Sequence, residues 1–300
     1  MRKGKVFDAG EADWLRSHAA LPVAQRMSAN LYRVFFSGRD EQGRGRIGYF
    51  ELDLGSPATP RRVSTGPVLS PGSLGAFDDH GVTTSWLEQA GDLAYLYYTG
   101  WSLGVTVPFY FWIGLALSED RGLSFRRFSR APILGPGEGD PFLTASPCIL
   151  RENGTWRMWY VSGVKWVATA AGPRHYYHIK YAESADGLSW DRAGRVCIDF
   201  VSDEEYAIAR PCVIHDGGVY RMWYCYRGES YRLGYAESHN GLEWTRRDAE
   251  AGLPAADRGW DSEMVAYPFV FGHKGTRHML YNGNGYGRSG IGLAVLEEKS

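Results

Sequence analysis

Residues 209–228 read ARPCVIHDGGVYRMWYCYRG, and residues 231–244 continue YRLGYAESHNGLEW. An earlier stretch runs in the same terms. Residues 145–163 are ASPCILRENGTWRMWYVSG, and residues 177–190 are YHIKYAESADGLSW. Pro211 matches Pro147, Cys212 matches Cys148, and Arg221-Met222-Trp223-Tyr224 matches Arg157-Met158-Trp159-Tyr160. Tyr-Ala-Glu-Ser recurs at 235–238 and 181–184, and Gly-Leu-x-Trp at 241–244 and 187–190. Each copy alternates β-forming runs with glycine-rich turns, so it reads strand, turn, strand, turn, strand. A repeated unit of that kind is the mark of a propeller blade.

Further copies extend outward from this pair. Residues 31–37 (LYRVFFS) and 93–99 (LAYLYYT) stand where the Trp156 to Tyr160 strand stands, and 277–282 (RHMLYN) is the last of the set. Gly122-Leu123-Ser124-Phe125 occupies the place of GLSW. The five units begin near residues 19, 82, 145, 209 and 265, and together they predict one all-β domain over residues 1–300, a single five-bladed propeller. A single blade cannot bury both of its faces, whereas five in a ring cover one another and leave few open edges. A β-sandwich would not explain why the same phrase recurs at similar spacing. Val6-Phe7 lies outside the first unit and is the piece expected to cross over and close the ring.

Composition agrees. Gly 38, Trp 11 and Tyr 19 in 300 residues supply turns and the filling between stacked sheets. The net charge of -1 gives no electrostatic footprint for nucleic acid or an anionic membrane. The N-terminus carries no apolar signal segment, and no apolar run is long enough to span a bilayer. Cys148 and Cys212 recur with the repeat and read as core, and Cys197 and Cys225 complete no zinc spacing. A reduced, cytoplasmic protein is expected.

The order FDDHGV, SPCI, WRMWY, YAES-DGLSW, ARPCV, WDSEMVAYP, YNGNGYG resembles the glycosidase-like five-bladed propeller proteins. These are relatives of the arabinanase, invertase and levansucrase clan, of the kind found with bacterial surface-polysaccharide genes. The resemblance covers about residues 32–296 and speaks to fold more than to reaction. It implies a central funnel in which carboxylates serve as nucleophile or base, stabiliser and general acid. The clan's blade-one aspartate has no counterpart, since that strand reads Ala19-Ala20-Leu21-Pro22 and Asp13 is out of register. Asp140 is a weak match to the blade-three acid.

The innermost strands are therefore the place to look for chemistry. Asp79, Glu205 and Glu263 precede three of them and are the candidate catalytic acids, since an acetal carbon needs one group to protonate the leaving oxygen and another to attack or activate water. Asp78, Glu204 and Asp261 lie beside them. Loop acids of this kind otherwise cap turns or stay solvated. His80 and His178, with those acids, offer donors to a divalent metal but no compact ligand spacing; no cofactor is assigned firmly. His178 also reads as a satisfied structural histidine. Arg210 suits a buried ion pair or an anionic substrate group equally, and Arg227 is a second anion-binding candidate. Trp101 and Trp166 form a sugar-stacking rim, Tyr267 shares the level of Arg210, and Asn282 and Asn284 sit in a turn with amides free for hydroxyls. The expected partner is a carbohydrate or sugar-bearing small molecule. A glycosidase-like enzyme is the first reading. A metal-assisted cyclase, isomerase or lyase and a non-catalytic carbohydrate-binding propeller are the alternatives.

Overall fold

The computed structural model describes residues 1–10, 12–57 and 60–296. Strand β1 (Arg2–Phe7) is followed by a meander of β2 (Ser17–Arg26), β3 (Leu31–Arg39) and β4 (Gly45–Asp53), edged by the short β5 (Arg62–Val63). The same four-strand pattern repeats in β6 (Gly81–Ala90), β7 (Leu93–Leu103), β8 (Phe109–Ser118) and β9 (Arg126–Arg127). It repeats again in β10 (Thr144–Glu152), β11 (Thr155–Thr169), β12 (Gly172–Ser184) and β13 (Val196–Ile198). The next copy is β14 (Ala207–Asp216), β15 (Val219–Arg227), β16 (Tyr231–Ser238) and β17 (Thr245–Arg246). The last is β18 (Ala266–His273), β19 (Thr276–Asn282) and β20 (Ile291–Leu296), whose outer edge is taken by β1 in antiparallel pairing. The first strand of the protein thus joins its last sheet, at the Val6-Phe7 segment that the sequence marks for this role. The inner strands β2, β6, β10, β14 and β18 each touch the next, and β18 returns to β2. The architecture is an all-β propeller.

Repeat identity becomes register identity. Cys148 faces Trp159 and Ile149 faces Met158, as Cys212 faces Trp223 and Val213 faces Met222. The two cysteines also join neighbouring meanders: Val213 N–H donates to Cys148 Sγ at 3.2 Å and Val270 N–H to Cys212 Sγ at 3.1 Å. A thiol that packs as a small apolar group can also accept the amide of the next inner strand.

A Ser-x-Asp/Asn-Gly-Leu phrase, lengthened by Arg121 before the glycine in the second meander, ends three meanders with the same serine–glycine bond. The hydroxyls of Ser118, Ser184 and Ser238 accept the amides of Gly122, Gly187 and Gly241. These glycines have φ of +83°, +75° and +73°, which is why only glycine serves there. Each turn is then gripped by the preceding meander. Arg33 donates to Arg121 O, Tyr97 Oη to Gly187 O and Trp159 Nε1 to Gly241 O, each at 2.8 Å.

Two outcomes are expected. Trp159 and Trp223 are buried at equivalent positions, so replacing either with Ala should cost about 3–5 kcal/mol in urea unfolding; a loss below about 1 kcal/mol would contradict this register. Burial pushes the Asp120 carboxyl up, but hydrogen bonds from Ser124, Ser118 and Leu123 outweigh it and hold it at about 2. Asp40 and Asp186 are also lowered, by bonds from Arg44 and Arg46 against burial in the first and from the Ser189 and Leu188 amides in the second. Carboxyls lowered on folding stabilise above their ordinary range near 4 and lose that contribution as pH falls towards about 2. The urea midpoint should drop between those values, and a flat profile there would contradict these bonds.

Candidate functional site

The inner strands converge on a cavity of about 270 Å³ to which all five contribute: Leu21, Thr83, Ser146, Ala209 and Tyr267 line it. Its shape comes from a recurring defect. In β2, β10, β14 and β18 a bulge inserts one extra residue, and the two unpaired residues are Leu21-Pro22, Ser146-Pro147, Arg210-Pro211 and Tyr267-Pro268. The proline has no N–H to lose from the ladder. The residue before it takes a positive φ: 53°, 46°, 58° and 56° respectively. Such backbone costs about 1–3 kcal/mol per residue and concentrates at working sites. β6 bulges at Ser85 without a positive φ.

Three of these four residues line the cavity, and the fourth lies buried beneath it. Arg210 is only 2% exposed. Its Nη1 donates to Ser85 O at 2.5 Å and Thr84 O at 3.4 Å, and its Nη2 to Pro22 O at 2.9 Å. Burial lowers its pKa to about 10. No carboxylate pairs with it among the described residues, so it is neither the ion pair nor the exposed anion grip that the sequence suggests. It clasps the backbones of the first two meanders from the fourth.

The cavity wall is aromatic, with Trp101, Phe109, Phe111, Tyr177, Tyr231 and Tyr286 beside Tyr267. Thr83, Thr99 and Ser146 add hydroxyls, and His18 and Arg39 are the charged or titratable lining groups besides the tyrosines. Burial, with Arg39 and Arg288 nearby, lowers His18 to about 4, so it is neutral at pH 7. Tyr177 and Tyr231 share a 2.5 Å hydroxyl–hydroxyl bond, and burial raises both. Arg227 lies 5.8 Å and 5.4 Å from the Tyr231 and Tyr286 ring centres, so it borders the mouth.

Among the described residues no Asp or Glu lines this cavity. The loop acids have structural work instead. Tyr98, Tyr160, Tyr224 and Tyr281 hold equivalent places in four sheets, and their hydroxyls donate to Asp78, Asp140, Asp248 and Asp261. A cation completes each set: Arg127 on Asp78, Arg192 on Asp140, Arg246 on Asp248 and Arg2 on Asp261. In the first sheet Phe36 takes the tyrosine's place opposite Gly48, and no acid is needed. Asp78, a candidate substrate-binding residue in the sequence, is buried between Tyr98 and Arg127 and does not line the axial cavity.

The candidate acids do not come together around the cavity. Glu205 is buried and takes a bidentate pair from Arg246 at 2.9 and 3.0 Å. Glu263 is exposed, and its amide donates to Asn284 Oδ1. Asp79 is half-buried and accepts from Gly75 N–H at 2.9 Å. Asn282 is occupied as well: its Nδ2 donates to Ala19 O and Gly290 O while its Oδ1 accepts from Leu21 N–H, clasping the last sheet to the first. Asn284 bonds the Glu263 and Met264 amides and Gly259 O. His178 pairs with Asp199 at 3.0 Å, away from the lining. Trp101 lines the cavity with the His80 ring 4.6 Å away, whereas Trp166 packs behind it on Phe109 at 5.2 Å. No three His, Cys, Asp or Glu among the described residues are grouped to hold a metal, and none of their helices is long and apolar enough to cross a membrane.

The sequence reading passed over His18, Arg39, Tyr177, Tyr231 and Tyr286. One signal could have found the cavity: the x-Pro pair that recurs in four inner strands marks the bulges that shape it.

The fold is shared with solved glycoside hydrolases. It superimposes on a solved structure named "Glycoside hydrolase" with a TM-score of 0.77 at 16% identity, covering 99% of this protein and 92% of that one. A thermostable family-43 glycoside hydrolase gives 0.73 at 16%, with 98% and 94% covered. No protein-family model matches. In sequence the protein is 46% identical over 296 residues, 98% of each, to "Uncharacterized protein MT1551" of Mycobacterium tuberculosis (strain CDC 1551 / Oshkosh). It is 45% identical over the same length to "Uncharacterized protein Rv1502" of strain ATCC 25618 / H37Rv. The protein belongs to the family of these mycobacterial proteins. It also aligns at 24% identity over 165 residues, 51% of its own length and 54% of the other, with a 1,2-beta-oligomannan phosphorylase of Thermoanaerobacter sp. (strain X514).

The acids provide a direct test. Glu205→Gln breaks a buried ion pair and should cost about 3 kcal/mol of stability, while the exposed Glu263→Gln should stay within about 0.5 kcal/mol. Equal, small effects in denaturant unfolding would mean that Glu205 is free rather than bound to Arg246.

Proposed function

We propose that the protein is a single five-bladed β-propeller that binds a saccharide in its axial cavity. The observation that carries this reading is the cavity itself, in which Trp101 and Tyr267 offer ring faces while Thr83, Thr99 and Ser146 offer hydroxyls. Sugars present apolar C–H faces and polar edges, and they suit walls that mix aromatic surface with a few placed hydrogen-bonding groups. The neighbours' names support a carbohydrate: a glycoside hydrolase among the solved structures and an oligomannan phosphorylase among the sequence relatives. A two-carboxylate reaction at an acetal carbon needs acids that face the bond, and the cavity lining has none among the described residues. Recognition is therefore favoured over hydrolysis by paired carboxylates.

One contact favours a second reading, glycoside hydrolysis drawing on Asp79, Glu205 and Glu263. His80 lies against Trp101, so the Asp79-His80 segment adjoins the cavity wall. Both readings are separable by experiment. A saccharide array followed by calorimetry should yield a ligand, and Trp101→Ala should weaken it by about tenfold, the equivalent of about 1.4 kcal/mol. Unchanged binding in that variant would place the ligand elsewhere. Release of reducing sugar that disappears in Asp79→Asn would favour the enzymatic reading instead.

A further inference from the structure

The charge around the cavity is one-sided. Arg39 lines it, with its guanidinium 5.8 Å from the Trp101 ring centre. Arg227 faces Tyr231 and Tyr286, which line it from the fourth and fifth meanders, and also lies 5.2 Å from the Tyr206 ring centre. Arg288 is close enough to Arg39 and His18 to act on both. Elsewhere arginines near the sheets are neutralised, as Arg127 is by Asp78 and Arg246 by Glu205 and Asp248. None of Arg39, which lines the cavity, Arg227, which lies against two of its tyrosines, and Arg288, which acts on Arg39, has a carboxylate within salt-bridge distance among the described residues. The buried Arg210 is a fourth cation on the inner strands, and its hydrogen bonds go only to carbonyl groups. The protein as a whole has a net charge of -1, so this imbalance is local. Like charges gathered without counter-charges cost free energy, and an anion bound there relieves it.

We propose that the saccharide bound in the cavity carries an anionic group, a carboxylate or a phosphate, that is held at the mouth by Arg39 and Arg227. This rests on the saccharide reading above and sharpens it to a substrate class. The planar guanidinium matches both groups bidentately. The aromatic wall takes the sugar ring, and the mouth takes its charge. His18 agrees with this field: after burial, Arg39 and Arg288 are the causes that keep it unprotonated.

The test is calorimetry on the full-length protein in about 20 mM salt, where screening is weak. The probes are a hexuronate, a hexose 6-phosphate, the parent hexose and inorganic phosphate. At least one charged sugar should bind tenfold or more tighter than the neutral hexose, and the preference should shrink as salt rises. The uronate and phosphate arms tell which anion is meant. Arg39→Gln and Arg227→Gln should each cost the charged sugar about tenfold more than they cost the neutral one. Arg62→Gln, on the outer edge strand β5, should change nothing. Equal affinity for charged and neutral hexose, or indifference to both arginine substitutions, overturns the anionic inference and leaves the saccharide reading standing. Binding of inorganic phosphate without any sugar overturns the saccharide reading and supports the anion site. Silence from all four probes overturns both.

Discussion

A buried guanidinium with no carboxylate partner among the described residues sets the terms for the centre of this fold. Arg210 reaches from β14 to carbonyls of β2 and β6. Removing such a charge from water costs several kcal/mol unless hydrogen bonds replace the lost hydration. Three meanders must therefore hold their inner backbones at fixed distances for the clasp to form. The bulges make this geometry, because each turns one residue out of the ladder and towards the axis. The same device gives the cavity its wall and Arg210 its carbonyls.

Negative charge has been placed outside that centre. Tyr98, Tyr160, Tyr224 and Tyr281 each anchor a loop aspartate that also meets a cation. These sets fasten the connecting loops to the sheets. They leave the axis to aromatic rings, hydroxyls and unpaired arginines. The frame and the groups lining its axis are therefore separable, as a fold and the site built on it generally are.

The frame was legible because repeats are legible. Cys148 and Cys212, and Trp159 and Trp223, occupy matching registers, and the Gly-Leu-x-Trp turns recur with them. The crossing of Val6-Phe7 to the last sheet could be read from its position outside the first repeat. The site was less legible. An acid before a strand looks the same in sequence whether it faces a ligand or a tyrosine hydroxyl, and Asp78 and Glu205 turned out to face structural partners. Asn282 looked like an open turn residue, yet its bonds to Ala19 and Leu21 tie the last meander to the first. Arg39 and Tyr177 gave no signal because their importance arises from convergence of strands far apart in the sequence. The x-Pro pairs did carry that information, as a backbone signature rather than a chemical one.

The most direct test of the central claim is a crystal structure of the protein soaked with a saccharide shown to bind it. The account predicts difference density in the axial cavity, with the sugar ring against Trp101 or Tyr267 and between the bulges at Leu21 and Ser146. Density at the outer loops beside Asp79 or Glu263, with the axial cavity left to solvent, would contradict it.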